Sequence, residues 1–381
     1  MENKRILIFS LEYYPIIGGA EIAVKEITDR ITDIEFDMVT MQSRRDLARH
    51  EKVGNVNVYR IPTSKVLFPI EAALFARKLH SGKPYDAIWS IMAARAGGAA
   101  LFFKYSFPEV KFFLTLQEGD PVWYMKLRSF YYVNPFFRKI FSNADKVHAI
   151  SNYLADYAKT MGHEGKVEVI PNGVDTKEFE DDAMSISDEE KVKLGIKTTD
   201  RLLITTSRLV RKNGIKYAIE AMPGLPQHVK FLIIGTGPLE KSLKAKVKSL
   251  NLGERVIFLG QVPNADIILY LKIADIFIRP SLSEGFGISF IEAFAAELPV
   301  IATPVGGIVD FLFDPEASPG KKPTGLFVEP ADSQSIVKQV TRLFKDDKLR
   351  SELTSNAKDL VKEKYDWNLI AREMRSRVFN I

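Results

Sequence analysis

Cysteine is missing from the 381-residue chain, which excludes disulfide bonds and thiolate chemistry. Long apolar runs are missing as well, since none approaches the ~20 residues of a membrane-spanning helix. The start, Met1-Glu2-Asn3-Lys4-Arg5, is followed by only a short apolar run, so a secretory signal is not expected. These absences predict a cytoplasmic protein that begins at or near Met1.

Ligands for a metal ion are also scarce. No Asp-x-Asp motif occurs, and the five histidines show no metal-ligand spacing. They are His50, His80, His148, His163 and His228. We therefore expect neither a catalytic metal nor any other cofactor.

Charge of one sign is in only slight excess. Lys and Arg number 53 against 48 Asp and Glu, a formal net charge of +5. The cations form no single stripe with stacking aromatics, and no helix-turn-helix, RNA-recognition or zinc pattern accompanies them, so nucleic acid binding is not expected. A phosphate-bearing ligand or an anionic lipid surface fits the same charge.

The length predicts two domains, because single cores rarely grow to this size. Apolar, strand-like runs alternate with helical patterns through both halves, which predicts two doubly wound parallel sheets of the α/β class. The runs are 5–10, 36–40, 56–61, 87–91, 111–116, 146–150 and 167–170, then 202–206, 231–234, 256–259, 276–278 and 300–302. Apolar residues at helical spacing extend the first helix through about Ile34.

A polar, acidic stretch over 175–200 is interpreted as the connection between the domains. Within it, Ser187-Asp188-Glu189-Glu190 predicts the capped start of one short helix. The predicted domains cover 1–178 and 179–362, and a helix over 363–381 ends the chain.

The stretch 279–307 carries the most chemistry. Its two glutamates, Glu284 and Glu292, are separated by seven residues, which counted along a helix puts them roughly 12 Å apart. That distance suits the two ends of a nucleotide sugar, because each carboxylate can accept both hydrogen bonds of a vicinal diol. A helix N-terminus is predicted between the two glutamates, and its free backbone N–H groups can bind an anion. These N–H groups belong to Gly285, Phe286, Gly287 and Ile288. The alternative is a glycine-punctuated turn with surface glutamates.

This pair of glutamates, with Pro299-Val-Ile-Ala-Thr-Pro304 and Gly306-Gly307 after it, resembles the signature of the retaining GT-B glycosyltransferases of the glycosyl transferases group 1 family. The resemblance implies two Rossmann-like domains that face a central cleft, with the C-terminal helix crossing back to the first domain. It also implies that Glu284 holds the donor sugar hydroxyls as part of the catalytic set and that Glu292 holds the ribose.

The segment Ser207-Arg208-Leu-Val-Arg-Lys212-Asn213-Gly214 looks like the part of this family that holds the donor phosphates. The resemblance implies that Arg208 and Lys212 stabilise the negative charge that the departing diphosphate gains. One departure is Asn213, which stands where the family usually has its lysine. Two later loops resemble loops of this family that bind the donor. The resemblance implies that Gly237 in the first loop contacts the donor and that Val262 in the second contacts the nucleobase.

In the first half, Gly18-Gly19 resembles the glycine loop that faces the donor. Gln117 and Glu118 stand on the acceptor side, where many relatives have His-Asp. Because glutamine cannot take up a proton, we predict that Gln117 acts by hydrogen bonding and placement and not as a general base.

The stretch 121–141 is aromatic and basic and contains no acidic residue. Its rings and cations include Trp123, Tyr124, Lys126, Arg128, Phe130, Tyr131, Phe136, Phe137, Arg138 and Lys139. This composition predicts peripheral contact with the inner face of an anionic membrane or with a lipid acceptor. The alternative is a pair of helices whose aromatic rings belong to the core.

The resemblance implies metal-independent transfer of a hexosyl unit, with retention, from a UDP- or GDP-linked sugar to a hydroxyl of a saccharide or lipid-linked acceptor. A nucleotide-sugar hydrolase or epimerase, or a non-catalytic sugar-nucleotide-binding protein, stays open on the same fold. The joint presence of Arg208, Glu284 and Glu292 argues against the non-catalytic alternative.

Overall fold

The computed structural model describes residues 3–120, 135–180 and 185–381. The chain forms two compact units, the first made of Met1–Asn172 with Trp367–Ile381 and the second of Gly173–Asp366. The stretch 175–200 therefore belongs to the second unit, whereas the sequence suggested a connection between domains. None of the helices in the described part of the chain is both long and apolar enough to span a bilayer.

The first unit is built on an eight-stranded sheet. Its strands are β1 (Lys4–Phe9), β2 (Ile34–Met41), β3 (His50–Val53), β4 (Val56–Ile61), β5 (Ala87–Ile91), β6 (Lys111–Leu116), β7 (Lys146–Ala149) and β8 (Val167–Val169). Its helices before the second unit are α1 (Gly19–Arg30), α2 (Phe68–Gly82), α3 (Arg95–Ser106), α4 (Pro135–Asn143) and α5 (Asn152–Thr160). The strand order is β3-β4-β2-β1-β5-β6-β7-β8, and only the pairing of β3 with β4 is antiparallel.

The apolar runs form the central strands, as predicted. The polar edge strand β3 was not predicted, because it contains no apolar run. Four successive residues of β1, from Ile6 to Phe9, are wholly buried, as expected for a strand covered on both faces. The edge strand β3 reads His-Glu-Lys-Val and is partly or fully exposed throughout. It is fixed by its pairing with β4 and by the ring of His50, which stacks on Tyr59 at 4.4 Å.

The first helix is shorter than its apolar spacing predicted. Helix α1 ends at Arg30, and the backbone is already extended at Ile31. Ile34, predicted as the last helical residue, begins β2 and pairs with Lys4. Both isoleucines are buried, so their spacing reflects a shared core and not one helix face.

The second unit has a six-stranded parallel sheet of order β11-β10-β9-β12-β13-β14. Its helices are α6 (Asp188–Lys193), α7 (Ile215–Ala221), α8 (Glu240–Ser249), α9 (Asn264–Leu271), α10 (Ile288–Ala295), α11 (Ser333–Lys345) and α12 (Asp347–Lys364). Its strands are β9 (Arg201–Thr206), β10 (Val229–Ile234), β11 (Val256–Gly260), β12 (Ile276–Arg279), β13 (Val300–Ala302) and β14 (Leu326–Phe327). Short 3₁₀ turns cover Thr176–Phe179, Arg211–Asn213, Met222–Gly224 and Gly306–Asp310.

The predicted capped helix in the acidic stretch is confirmed as α6. The Oγ of Ser187 accepts a hydrogen bond from the Glu190 N–H at 3.2 Å, which satisfies a donor at the open helix end. Strand β14, in contrast, was not predicted, because two residues are too few to form an apolar run.

The end of the chain packs in the first unit, as the predicted return of the last helix requires. Helix α13 (Trp367–Glu373) is followed by a π-helical turn over Met374–Val378. The ring of Phe379 is wholly buried and lies 4.9 Å from the ring of Trp89 in β5 and 6.1 Å from Phe36 in β2. The guanidinium of Arg377 donates to Glu168 at 2.9 Å, which ties the tail to β8.

Each sheet has one place where the strand order reverses. In the first unit this is the boundary between β1 and β5, and in the second it is the boundary between β9 and β12. In open α/β sheets the loops at the carboxyl ends of the strands diverge there and leave a crevice for a ligand. The Gly18-Gly19 segment follows β1, and the Arg208 and Glu284 segments follow β9 and β12.

Candidate functional site

The loops after β9 and β12 touch through their backbones. The carbonyl oxygen of Lys212 accepts hydrogen bonds from the N–H groups of Leu282 at 2.6 Å and Ser283 at 3.4 Å. Gly214 has φ +68°, and a Cβ on it would lie 1.8 Å from the carbonyl oxygen of Pro280. Only glycine allows this approach. The two predicted motifs, far apart in sequence, therefore form one surface.

The loop after β10 completes this surface from the other side. The Leu209 N–H donates to the carbonyl oxygen of Thr236 at 2.9 Å. A Cβ on Gly237 would lie 2.5 Å from the carbonyl oxygen of Leu209, so a side chain there would push the loops apart. Val262 is half-buried in the next loop, after β11. The loop after β10, which carries the predicted donor contact Gly237, therefore supports the backbone of the Arg208 segment.

The cations of this surface differ in exposure. Arg208 is exposed and Lys212 is half-buried. Asn213 is buried, and its side-chain amide donates to the carbonyl oxygen of Arg208 at 2.7 Å. The asparagine that departs from the family pattern thus stabilises the turn that carries both cations.

Glu284 is fixed by the loop after β13. Its carbonyl oxygen accepts the Gly307 N–H at 3.1 Å. Gly306 has φ +57°, and a Cβ on it would lie 1.8 Å from that same oxygen. The Gly306-Gly307 pair therefore holds the backbone of Glu284 at a distance that no other residue type permits.

The side chain of Glu284 forms an ion pair with Arg279, a residue that the sequence did not single out. The side chains are 13% and 7% exposed, respectively. Arg279 also donates to the Oγ of Ser289 at 2.6 Å, and its guanidinium lies 4.3 Å from the ring centre of Phe290. An arginine that ends an apolar strand gives no sequence signal of a site.

Glu292 lies closer to the start of its helix than predicted. Gly287, with φ +92°, ends the loop, and α10 begins at Ile288. Glu292 therefore lies about 6 Å, or one turn, into the helix, and the chain from Glu284 to Gly287 before it is loop. Burial raises the pKa of Glu292 to about 7, an effect that the nearby Glu178 increases and Arg279 reduces.

The side chain of Phe286 belongs to the core, so the predicted contact with the donor can come only from its backbone N–H. It is 1% exposed, and its ring lies 5.3 Å from Phe311 and 5.8 Å from Tyr365. Only the backbone of Phe286 is left to border a ligand, together with Gly285, Gly287 and Ile288. Aromatic packing beneath the turn explains why a phenylalanine separates the two glycines.

The first unit has a pocket of about 200 Å³ at its own strand-order switch, between the loops after β1 and β5. Its lining includes Glu12, Gly18, Glu21 and Arg95. Gly18 is the N-cap of α1, and burial raises the pKa of the Glu21 carboxyl while the nearby N–H groups of Glu21 and Gly18 lower it. Glu21 is the glutamate half of a capping box and fixes the glycine loop. Gly19 is exposed, with open space where a Cβ would be.

Gln117 and Glu118 follow β6 and are held in different ways. The Gln117 Oε1 accepts from the Asn172 amide at 3.2 Å. The Glu118 Oε1 accepts the Ala93 N–H at 2.9 Å, and burial raises the pKa of this carboxyl. Both side chains therefore order the loops at the carboxyl edge of the first sheet.

Most of the aromatic and basic stretch, 121–134, lies outside the described residues. The rest forms α4, where Phe137 is buried and Phe136 is half-buried with its ring 5.2 Å from Phe102. Arg138 and Lys139 are exposed. Phe137 thus belongs to the core, as the alternative interpretation held.

Titratable side chains that could ligate a metal are dispersed. Across 3–120, 135–180 and 185–381, no group of three or more His, Asp or Glu side chains is arranged to hold a metal ion.

Comparison with known proteins identifies the class. The fold resembles sucrose-phosphate synthase from Thermosynechococcus elongatus, with a TM-score of 0.82, 21% identity and 97% of each chain covered. It also resembles an Anabaena protein, HepE, solved with UDP and glucose, with a TM-score of 0.78, 19% identity and coverage of 99% of this chain and 100% of that one. The chain has the GT-B fold, two Rossmann-like units whose sheets are parallel apart from the edge strand β3.

Sequence comparison then gives the family. The model of the glycosyl transferases group 1 family matches residues 186–360, and that of glycosyltransferase family 4 matches 17–178. A putative teichuronic acid biosynthesis glycosyltransferase of Bacillus subtilis is 30% identical over 74% of this chain and 67% of its own length. A GDP-mannose-dependent monoacylated phosphatidylinositol monomannoside mannosyltransferase of Corynebacterium glutamicum is 25% identical over 98% of this chain and 97% of its own. The chain belongs to the glycosyl transferases group 1 family and is a glycosyltransferase.

Replacing Gly306 by alanine should displace the Glu284 loop, because the new Cβ would collide with the Glu284 carbonyl oxygen and φ is positive. We expect a loss of roughly 1–3 kcal/mol in the free energy of unfolding, measured by chemical denaturation. Gly253→Ala is the matched control, since its Cβ would meet open space. Equal stability of the two variants would contradict the proposed close approach.

Replacing Glu292 by glutamine should raise stability more at pH 8 than at pH 5. Between pH 4.5 and about 7 the folded carboxyl keeps a proton that the unfolded chain releases, so the wild type loses stability as pH rises through this window. The advantage of the variant should grow by about 2 kcal/mol from pH 5 to pH 8. Denaturation at both pH values measures it, and a difference independent of pH would refute the raised pKa.

Proposed function

We propose that the chain is a retaining, metal-independent hexosyltransferase that uses a UDP- or GDP-linked sugar. The observation that supports it most is the contact between the loops after β9 and β12 at the strand-order switch. This contact brings the backbones that carry Arg208, Lys212 and Glu284 onto one surface. A surface with cations beside carboxylates suits a ligand that has both phosphates and hydroxyl groups.

Each end of the donor has a proposed partner. Arg208 and Lys212 bind the diphosphate, with the backbone N–H groups at the start of α10 as further donors. Glu284 accepts hydrogen bonds from hydroxyls of the sugar, and Glu292 accepts them from the ribose. Gly237 and Val262 border the phosphates and the nucleobase.

In the proposed reaction the bond from the anomeric carbon to the diphosphate oxygen breaks, and a bond to the acceptor oxygen forms on the same face. The acceptor proton moves to the departing phosphate, so no side chain is required as a base. Arg208 and Lys212 stabilise the charge that grows on the diphosphate. Gln117 and Glu118 order the acceptor side by the hydrogen bonds described above.

Two similar proteins suggest different donors. The structure of Anabaena HepE contains UDP and glucose, while the mannosyltransferase of Corynebacterium glutamicum depends on GDP-mannose. We therefore propose both nucleotides as candidates. Acceptor-dependent release of UDP or GDP would distinguish a transferase from a nucleotide-sugar hydrolase.

We also propose a saccharide or lipid-linked acceptor and contact with an anionic membrane. The named substrate of the Corynebacterium relative is a phosphatidylinositol glycolipid. At the start of α2, apolar side chains face solvent, with Leu67, Ile70 and Leu74 each about half exposed. Exposed Arg77 and Lys78 lie on the same helix. Apolar groups beside cations suit an anionic lipid surface.

Alanine variants of the two glutamates should lose affinity for different ligands. Binding and turnover are both measured in EDTA, which removes free metal ions. Glu292→Ala should weaken free nucleotide and nucleotide sugar alike, by roughly tenfold for the loss of hydrogen bonds to a charged group. Glu284→Ala should weaken only the nucleotide sugar. Calorimetric titration with UDP, GDP and their hexose conjugates tests this. Equal losses of free-nucleotide affinity in both variants would refute the assignment, and loss of turnover in EDTA restored by Mg²⁺ would refute metal independence.

Wild-type protein should sediment with anionic vesicles at low salt and less with neutral ones, because each cation near the surface adds about 1 kcal/mol of attraction. Replacing Arg77, Lys78, Arg138 and Lys139 by glutamate should release it. The same changes at Lys241 and Lys248, exposed on α8, are the control. Wild-type protein that stays in solution with anionic vesicles would favour a soluble saccharide acceptor.

A further inference from the structure

Arg279 is held on several sides inside the candidate donor site. Its Nη1 donates to the Ser289 Oγ at 2.6 Å and to the Thr206 carbonyl oxygen at 3.4 Å, its Nε approaches the Ser281 Oγ at 3.3 Å, and its Nη2 contacts Glu284. The ring of Phe290 covers one face. A guanidinium stays charged in a protein and has a planar set of donors, so these contacts fix its orientation.

The same guanidinium acts on both glutamates of the motif. It forms the ion pair with Glu284 directly. It also lowers the pKa of Glu292, against the larger effect of burial. The space for it depends on Gly287, because a Cβ there would lie 2.9 Å from Nη2.

The carboxylate of Glu284 keeps hydrogen-bond acceptor positions for a ligand beside this arginine. One oxygen is taken by Arg279, and the other accepts the Gly285 N–H at 3.1 Å. Each carboxylate oxygen has two acceptor positions, so each can still accept a hydroxyl. The ion pair therefore orients the carboxylate without saturating it.

We propose that Arg279 is the positioning residue of the donor site, which aims Glu284 at the hydroxyls of the donor sugar and acts as a fixed positive charge on Glu292, the proposed partner of the ribose. This inference rests on the proposed function. Arg279 acts through the glutamates and needs no contact with the donor. Its two effects differ in kind, since the first needs the planar fork and the second needs only positive charge.

The charged groups around Glu292 determine its response to the loss of Arg279. Glu178, in the 3₁₀ turn over Thr176–Phe179, raises the pKa of Glu292. Helix α12 also packs on α10. Among its cations, Lys358 pairs with Glu297 and Lys362 lies 4.0 Å from Glu180. Without Arg279, Glu178 would act without opposition from the guanidinium, so the neutral form of Glu292 would persist to higher pH.

The test compares Arg279→Met, Arg279→Lys and, as the matched control, Arg255→Met. Arg255 is equally buried in the same unit, but it donates to the carbonyl oxygens of Val229, Leu225 and Pro226. Calorimetric titrations with UDP, GDP and their hexose conjugates are carried out from pH 6 to pH 9, and donor KM and kcat are measured alongside. The control accounts for the loss of any buried arginine.

For Arg279→Met we expect the extra affinity for nucleotide sugar over free nucleotide to fall about tenfold, and nucleotide affinity to rise with pH at a higher midpoint than in the wild type. Arg279→Lys should keep the wild-type midpoint and still lose the sugar preference. Arg255→Met should lose stability but keep both properties. If Arg279→Met does not fold, Arg279→Lys alone decides, because unchanged sugar preference there overturns the inference.

Two negative results have different meanings. If the wild type binds nucleotide sugars and the Arg279 variants match it or Arg255→Met in both sugar preference and pH midpoint, the positioning role is refuted while the proposed function stands. If the wild type binds no nucleotide and no nucleotide sugar at any pH, the proposed function itself is wrong and this inference falls with it.

Discussion

The close approach of three loop backbones at the carboxyl edge of the second sheet is the constraint on which the site depends. The loop after β12 contacts the loop after β9 at Gly214 and the loop after β13 at Gly306. At both positions a Cβ would lie 1.8 Å from a carbonyl oxygen of the β12 loop. Because these contacts join main chains, they fix where the side chains of Arg208, Lys212 and Glu284 begin, whatever rotamers those side chains adopt.

Electrostatics refines what the backbone contacts bring together. A buried charge is costly unless it is paired, and the two glutamates meet this requirement differently. Glu284 pairs directly with Arg279, whereas Glu292 receives only a longer-range effect and has a pKa raised to about 7. One motif therefore presents two carboxyl groups of different character, which matches the different roles proposed for them toward sugar and ribose.

The first unit has the same α/β architecture as the second, and its loops are ordered by hydrogen bonds. Its pocket also lies at a strand-order switch, and its glycine loop is fixed by Glu21 in a capping interaction that the sequence Gly-Gly-Ala-Glu already contained. Gln117 and Glu118 are engaged with Asn172 and Ala93. These side chains order the loops at the carboxyl edge of the first sheet by hydrogen bonding.

The sequence alone determined the class of fold, because doubly buried strands read as continuous apolar runs and the loops after them carry glycine. It also indicated Arg208, Glu284 and Glu292, since Arg208 stands in one short motif and the two glutamates in another, and both motifs resemble those of the family. Only the tertiary structure placed Phe286 in the core, shortened the helical path to Glu292 and revealed Arg279. The reason is physical: the burial of a ring, a break at positive φ and the pairing of a strand-end arginine depend on neighbours that are distant in sequence.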